Sequence, residues 1–114
     1  MNKTILEKLH EYEFPLRIET KAQIRDIENG GKLIEPTLEN LFDELANRIS
    51  NIESGGGEKS SWKWSVHLFA KTYAYPRFIG GQTLKDALAK AWLLDKHHFN
   101  YDEWVLTSPT KAKE

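Results

Sequence analysis

The pattern that most restricts the fold is a strict alternation of side chains that starts at Trp62 and ends at Phe69. Every second residue in this stretch is apolar, namely Trp62, Trp64, Val66 and Leu68. This period of two places the four side chains on one face of a β-strand. Residues 72–79 are the predicted antiparallel partner, in which Pro76 favours an edge position because proline cannot donate to a ladder. We therefore expect a hairpin that buries its tryptophan-bearing face.

A helix is predicted directly after this hairpin. Thr83 is the expected N-cap, and Asp86 stands at the third helical position, as in a capping box with the shorter acid. The apolar residues that follow recur at helical spacing and form the predicted buried face: Leu84, Ala87, Leu88, Ala91 and Trp92.

Two more helices are predicted in the first half of the chain. The shorter one runs from Lys3 to about Tyr12 and ends before Pro15. The longer one has Thr37 as its N-cap and Gly55 as its stop. Its apolar stripe consists of Leu38, Leu41, Phe42, Leu45, Ile49 and Ile52.

Between these helices the sequence predicts a first hairpin. Residues 16–20 alternate in polarity, and residues 24–34 carry Asn29-Gly30, a pair typical of tight hairpin turns. The expected fold class is therefore α+β: a single small domain with an antiparallel sheet of two hairpins packed with two to three helices, in the order α-β-β-α-β-β-α.

One domain is expected for residues 1–106. The glycine-rich segment 55–61 separates two halves that are each too small to be comfortably stable alone, so it is interpreted as a flexible internal loop. Residues 107–114 have almost no apolar content and are expected to form a disordered tail.

The closing part of the chain resembles a known family. The Trp-led strand at residues 62–68, a second strand, and Gly81-Gln82-Thr83-Leu84-Lys85-Asp86-Ala87-Leu88 resemble the closing module of small phage and prophage proteins of the phage ABA sandwich family. The same strand-strand-helix closure is similar to HicB-type antitoxins, although the long helix of the first half departs from that family's pattern. Residues 62–96 carry the resemblance, which implies an accessory protein of a mobile element and transfers no catalytic residue.

Composition excludes several classes of protein. The chain has no cysteine, which removes disulfides, thiolate catalysis and cysteine-based metal sites. No apolar run is long enough for a membrane span, and charges interrupt the first residues before a signal peptide could form, so a cytoplasmic protein without membrane contact is expected.

The net charge of −1 conceals an asymmetry. Residues 1–57 have 7 Lys and Arg against 11 Asp and Glu, whereas residues 58–114 have 9 against 6. Aromatic residues follow the basic half, since 10 of the 13 lie between Trp62 and Trp104. Near-neutrality of the whole chain is therefore no argument against a binding surface in the second half.

No catalytic residue, metal ligand or cofactor is assigned from the sequence, and the chain is not predicted to be an enzyme. The one cluster with the character of metal ligands is Asp95, His97 and His98, with His67 as a distant fourth. Adjacent histidines on a helix diverge by about 100°, and basic residues at a helix C-terminus more commonly complement its dipole. Ser65 and His67 are interpreted as strand neighbours.

The predicted binding surface is the polar and aromatic side of the second hairpin. It consists of Lys63, His67, Phe69, Lys71, Tyr73, Tyr75 and Arg77. Tyrosine and arginine are enriched in protein interfaces, which favours a protein partner or a second copy. Aromatic rings interleaved with cations are also typical of surfaces that bind single-stranded nucleic acid, and this alternative stays open.

Overall fold

A computed structural model describes residues 1–30, 33–55, 63–69 and 77–99 of the chain. Helices and strands follow one another as α1 (Lys3–Glu11), α2 (Lys21–Glu28), α3 (Leu38–Leu45), β1 (Ile49–Ser54), β2 (Trp64–Leu68), β3 (Arg77–Gly81) and α4 (Leu84–His97). A single turn of 3-10 helix, Ala46–Arg48, joins α3 to β1. The three strands form one antiparallel sheet in the order β1-β2-β3, so the α+β class is confirmed.

Helix α4 lies at the centre of the molecule. It packs against β2 and β3 on one side and against α1 and α3 on the other. Its residues Ala87, Leu88, Ala91 and Leu93 are completely buried. Because both sides are covered, α4 is buried around most of its circumference, and even its charged residues Asp86, Lys90 and Asp95 are buried.

The predicted strand and its inward face are confirmed for the part that the structure describes. Val66 and Leu68 in β2 are buried in the core together with Ile79 in β3. Trp64 is only half-buried and packs at the margin of this core. The antiparallel partner is also confirmed, although its described part begins at Arg77 and extends to Gly81.

The helix after the second hairpin begins as predicted. The Thr83 side chain accepts a hydrogen bond from the Asp86 N–H at 3.1 Å. The preceding Gly81 lies so close to α4 that a Cβ at this position would be 2.5 Å from the Ala87 nitrogen. Strand and helix therefore meet without an intervening side chain.

The first-half helices are confirmed at their starts. Helix α1 occupies the predicted range, and Thr37 caps α3 by accepting from the Asn40 N–H at 3.1 Å. The predicted continuation of α3 towards Gly55 is wrong, because the helix ends at Leu45 and Ala46 turns the backbone at a φ of 48°.

A bulge explains why residues 49–52 resemble a helix in sequence. They belong to β1, where the register against β2 shifts between Ile49 and Asn51. This extra residue lets Ile49 and Ile52 both pack against the core although they are three positions apart. In a regular strand such residues would point to opposite faces, so the spacing suggested a helix.

The predicted first hairpin is also wrong, because residues 21–28 form helix α2. Its N-terminus is a capping box in which the Thr20 side chain accepts from the Gln23 N–H and the Gln23 side chain accepts from the Thr20 N–H. Asn29 is the C-cap, and Gly30 follows at a φ of 79°. The Asn-Gly pair therefore ends a helix instead of turning a hairpin.

Residues 16–20 are not a strand because buried side-chain amides take the place of a neighbouring strand. Asn40, fully buried, accepts from the Arg17 N–H at 2.8 Å and donates to the Pro15 carbonyl at 3.1 Å. Gln23 accepts from the Glu19 N–H at 2.7 Å. The backbone is thus satisfied without a ladder.

The remaining predictions on organisation fall outside the described residues. These are the loop after Gly55, the side chain of Trp62, residues 72–76 of the predicted partner strand and the tail at residues 107–114. In the described ranges, no helix combines the length and apolar character needed to cross a bilayer.

Candidate functional site

The candidate site is the face of the sheet turned away from α4, which we call the outer sheet face. It is built from two cross-strand rows. In the first row Asn51, His67 and Phe78 are paired across the three strands, and in the second Glu53, Ser65 and Gly80 are paired. Since directly opposed residues point to the same side of a sheet, the side chains of each row are neighbours.

Phe78 is the most exposed large apolar residue of this face, at 70%. Its ring lies 4.4 Å from the His67 ring, centroid to centroid, at an interplanar angle of 39°. Gly80 contributes no side chain to the neighbouring row, so nothing bulky stands beside the Phe78 ring on that side. The result is an aromatic pair with one ring largely in solvent.

His67 has polar neighbours as well. Its Nε2 is hydrogen-bonded to Ser65 Oγ at 2.7 Å and lies 3.8 Å from Glu53 Oε1. Asn51 donates to the other Glu53 oxygen at 3.1 Å and so restrains the carboxylate. In a catalytic triad the carboxylate contacts the ring nitrogen remote from the hydroxyl. Here both groups approach Nε2, so this arrangement is a polar network and differs from a proton relay.

A shallow cleft of about 330 Å³ opens beside these residues. Its wall is partly aromatic, from Trp64 and Phe78, and partly polar, from Ser65 and His67. Glu53 and Lys63 contribute opposite charges to the same cleft. This mixture suits a protruding side chain from another molecule, in which an apolar body is flanked by polar groups.

Arg48 fixes the backbone at Phe69, directly after β2, through two hydrogen bonds. Its backbone carbonyl accepts from the Phe69 N–H at 2.9 Å, and its guanidinium donates to the Phe69 carbonyl at 2.8 Å. The same guanidinium pairs with buried Asp95 at 3.1 Å. Phe69, 52% exposed, is thus held on a fixed backbone.

The predicted binding residues have different outcomes. Lys63, His67 and Phe69 are described, and Lys63 is exposed. The backbone of Arg77 lies in β3 opposite Leu68. Lys71, Tyr73 and Tyr75 lie outside the described residues.

Phe78 and Glu53 were missed by the sequence reasoning. Alternation along β3 shows which of its residues lie on the same side of the strand. It does not show which side lies next to His67, because that depends on how β3 pairs with β2. The observed register assigns Phe78 to that position and pairs Arg77 with Leu68. Glu53 was missed because its strand was predicted as a helix.

The two histidines near the end of α4 take part in packing and in ending the helix. The His97 ring packs 4.9 Å from Tyr12 and 4.7 Å from Trp92. His98 is the C-cap, with a φ of 58°, and Asp95 is engaged by Arg48. Within the described part of the chain, no three His, Asp or Glu residues are grouped as metal ligands.

Comparison with known proteins adds no relative: no family model, no curated protein and no solved structure matches the chain. The resemblance of residues 62–96 to the phage ABA sandwich family therefore stays a prediction.

Proposed function

We propose that this chain is a non-catalytic binding protein of bacterial or phage origin that recognises another protein through its outer sheet face. The observation that carries the proposal is Phe78, an aromatic ring 70% exposed on a regular strand and packed at a tilt against the His67 ring. Exposed aromatic rings on a rigid element are typical anchors of protein interfaces.

The surroundings of Phe78 support recognition of a protein segment. The adjacent cleft can accept one apolar side chain, while Glu53 and Lys63 supply charges of both signs at its margin. An apolar centre with a polar rim is the usual organisation of such interfaces. The expected partner presents a protruding aromatic or aliphatic side chain flanked by charged residues.

Single-stranded nucleic acid is the second candidate. The ring pair of His67 and Phe78 resembles a platform on which a base can stack, and Lys63 lies beside it. The Glu53 carboxylate, 3.8 Å from the His67 ring nitrogen, would repel a phosphate at the same place. This negative group favours a protein partner.

The experiment is site-specific photo-crosslinking in cells of the source organism, with benzoylphenylalanine in place of exposed Phe69. We expect one discrete protein adduct, which is lost when Phe78→Ser is added. Ile27→Ser is the matched control, because Ile27 is also exposed, at 49%, but lies on α2. It should leave the adduct unchanged.

Two results would overturn the protein assignment. One is an adduct that persists in Phe78→Ser, and the other is an adduct that contains nucleic acid only. The nucleic-acid alternative is tested separately by fluorescence anisotropy with a single-stranded oligonucleotide. It requires an affinity that falls steeply with salt and is lost in Phe78→Ser.

A further inference from the structure

Helix α2 directs its apolar residues to solvent. Ile24 and Ile27 are 47% and 49% exposed and lie one turn apart, so they form a continuous apolar face. Ile18, in the extended segment before the helix, is 44% exposed. The single buried residue of α2 is Gln23, a polar one. This arrangement is the reverse of an ordinary amphipathic surface helix.

Gln23 fixes this orientation through the backbone. Its side-chain oxygen accepts from the Glu19 and Thr20 N–H groups at 2.7 and 2.9 Å, and its side-chain nitrogen donates to the Arg17 and Glu35 carbonyls at 3.3 and 2.9 Å. Rotating α2 to bury its isoleucines would leave these backbone groups unsatisfied. The apolar face is therefore held outward by buried hydrogen bonds.

We propose that α2 pairs with α2 of a second copy of this chain in an antiparallel arrangement, with Ile24 and Ile27 at the centre. This surface is separate from the outer sheet face, so the proposal does not depend on the proposed function. Two charges on α2 indicate that the molecule covering its isoleucine face is a second copy of this chain. Lys21 begins the helix and Glu28 ends it, and both are exposed.

The positions of these charges match a twofold axis perpendicular to the helix. Lys21 and Glu28 are two turns apart, so they lie on the same side of α2, about 80° from the centre of the isoleucine face. In an antiparallel pair, each Lys21 then meets the Glu28 of the other copy. A parallel pair would place the two residues on opposite sides of the contact and lose both ion pairs.

An anionic membrane fits the charges of α2 less well than a second copy does. Such a membrane attracts helices whose polar face is rich in lysine and arginine, whereas Lys21 and Arg25 are balanced by Asp26 and Glu28 on α2. Helix α2 is about 12 Å long, much shorter than a standard interface requires. We therefore expect reversible pairing with a dissociation constant on the order of 10 µM to 1 mM.

Sedimentation equilibrium of the purified full-length chain tests the proposal over about the same concentration range. The wild type should increase in average mass with concentration. Ile24→Ser combined with Ile27→Ser should weaken pairing by about tenfold or more, because it removes the apolar centre. Phe78→Ser, which changes an even more exposed apolar residue on the sheet, is the control and should pair like the wild type.

Charge reversal tests the antiparallel geometry. Lys21→Glu and Glu28→Lys should each weaken self-pairing by about threefold to tenfold. Both changes suit the helix dipole, so unfolding of α2 cannot explain the loss. A mixture of the two variants should pair again, because each contact then joins opposite charges.

Three results would overturn the proposal: a wild type that stays monomeric over the whole range, self-association that survives the double serine variant, or a mixture of the charge variants that pairs no better than either one alone. Association lost only in Phe78→Ser would instead assign it to the outer sheet face.

Discussion

Gly81 and Ala87 approach each other so closely that a single methyl group cannot be inserted between them. A Cβ on Gly81 would lie 2.5 Å from the Ala87 nitrogen and 3.0 Å from its Cα. Because these are backbone atoms, no side-chain rotation can relieve the overlap. The contact sets the distance between β3 and α4, and through it the position of Phe78 relative to the core.

We expect Gly81→Ala to lower the free energy of unfolding by ~2–3 kcal/mol, because β3 and α4 must separate to admit the methyl group. Urea denaturation measures the change. Gly30→Ala is the matched control: Gly30 has a φ of 79° but no atom within 4 Å of its added Cβ. It should cost only ~1 kcal/mol from backbone conformation. Equal losses would contradict the close approach.

Gln23→Ala should release helix α2. The change removes one half of the capping box and leaves buried backbone groups without partners, at a cost of ~2–3 kcal/mol. Amide hydrogen exchange should show faster exchange in α2 while the amides of α4 remain protected. Ala22→Ser, at an exposed neighbouring position, is the control. Unchanged exchange in α2 would show that another contact holds the helix.

Ala46→Gly should stabilise the protein. Ala46 has a φ of 48° and a ψ of −126°, a conformation that a Cβ disfavours. Relief of this strain exceeds the entropy that glycine gains in the unfolded chain, so we expect an increase of ~1 kcal/mol in the free energy of unfolding. Thermal denaturation checks the sign, and a decrease would mean that Ala46 is not strained.

Glu35 should contribute a pH dependence to stability. Burial alone raises the pKa of this carboxyl, but the hydrogen bond and charge of Lys85, at 2.8 Å, and the ammonium of Met1 outweigh burial and lower the pKa below its ordinary value. A carboxyl whose pKa is lowered by folding stabilises the protein above its unfolded-state pKa, and this stabilisation is lost as the pH falls.

The test compares unfolding free energies at neutral pH and at about pH 3. Glu35→Gln should show a smaller loss of stability on acidification than the wild type, and Lys85→Met should reproduce the smaller loss. Glu7→Gln, at an exposed position of α1, is the control and should behave like the wild type. A Glu35→Gln profile parallel to that of the wild type would contradict this prediction.

Truncation of two neighbouring residues of β3 should lower stability to very different extents. Phe78→Ala removes a ring that is mostly in solvent and should cost less than ~1 kcal/mol. Ile79→Ala removes a side chain that is 4% exposed and should cost ~2–4 kcal/mol. Chemical denaturation of both variants checks which face of the sheet is buried, and similar losses would mean that the faces are not distinct.

Sequence was most informative where a cap and a long apolar pattern agree. Thr83 and Thr37 each begin a helix as predicted, and the alternation that buries Val66 and Leu68 is observed in β2. These features act within a few residues, so no knowledge of the rest of the fold is required to interpret them.

Prediction failed where a distant partner decides the local structure. The capping box at Thr20 and Gln23 was a sequence signal for α2, but the Asn29-Gly30 pair fits both a hairpin turn and a helix end. In β1, the spacing of Ile49 and Ile52 fits a helix as well as it fits a bulged strand. Only pairing with β2 distinguishes the two.

The candidate site was only partly predictable, because part of it depends on contacts between strands. His67 follows from alternation along its own strand, whereas its contact with Phe78 depends on the register between β2 and β3. That register depends on how the strands are connected, which composition and periodicity do not fix.

The position of α4 between the helices and the sheet has a consequence for biosynthesis. Helix α1, helix α3 and the sheet are all synthesised before α4, yet each of them buries apolar residues by packing against α4. A nascent chain therefore has no complete core until Leu93 has left the ribosome, and Leu9, Leu41 and Val66 stay without their final neighbours until then. At translation rates of roughly 5–20 residues per second, this interval lasts seconds, during which a chaperone can bind the uncovered surfaces.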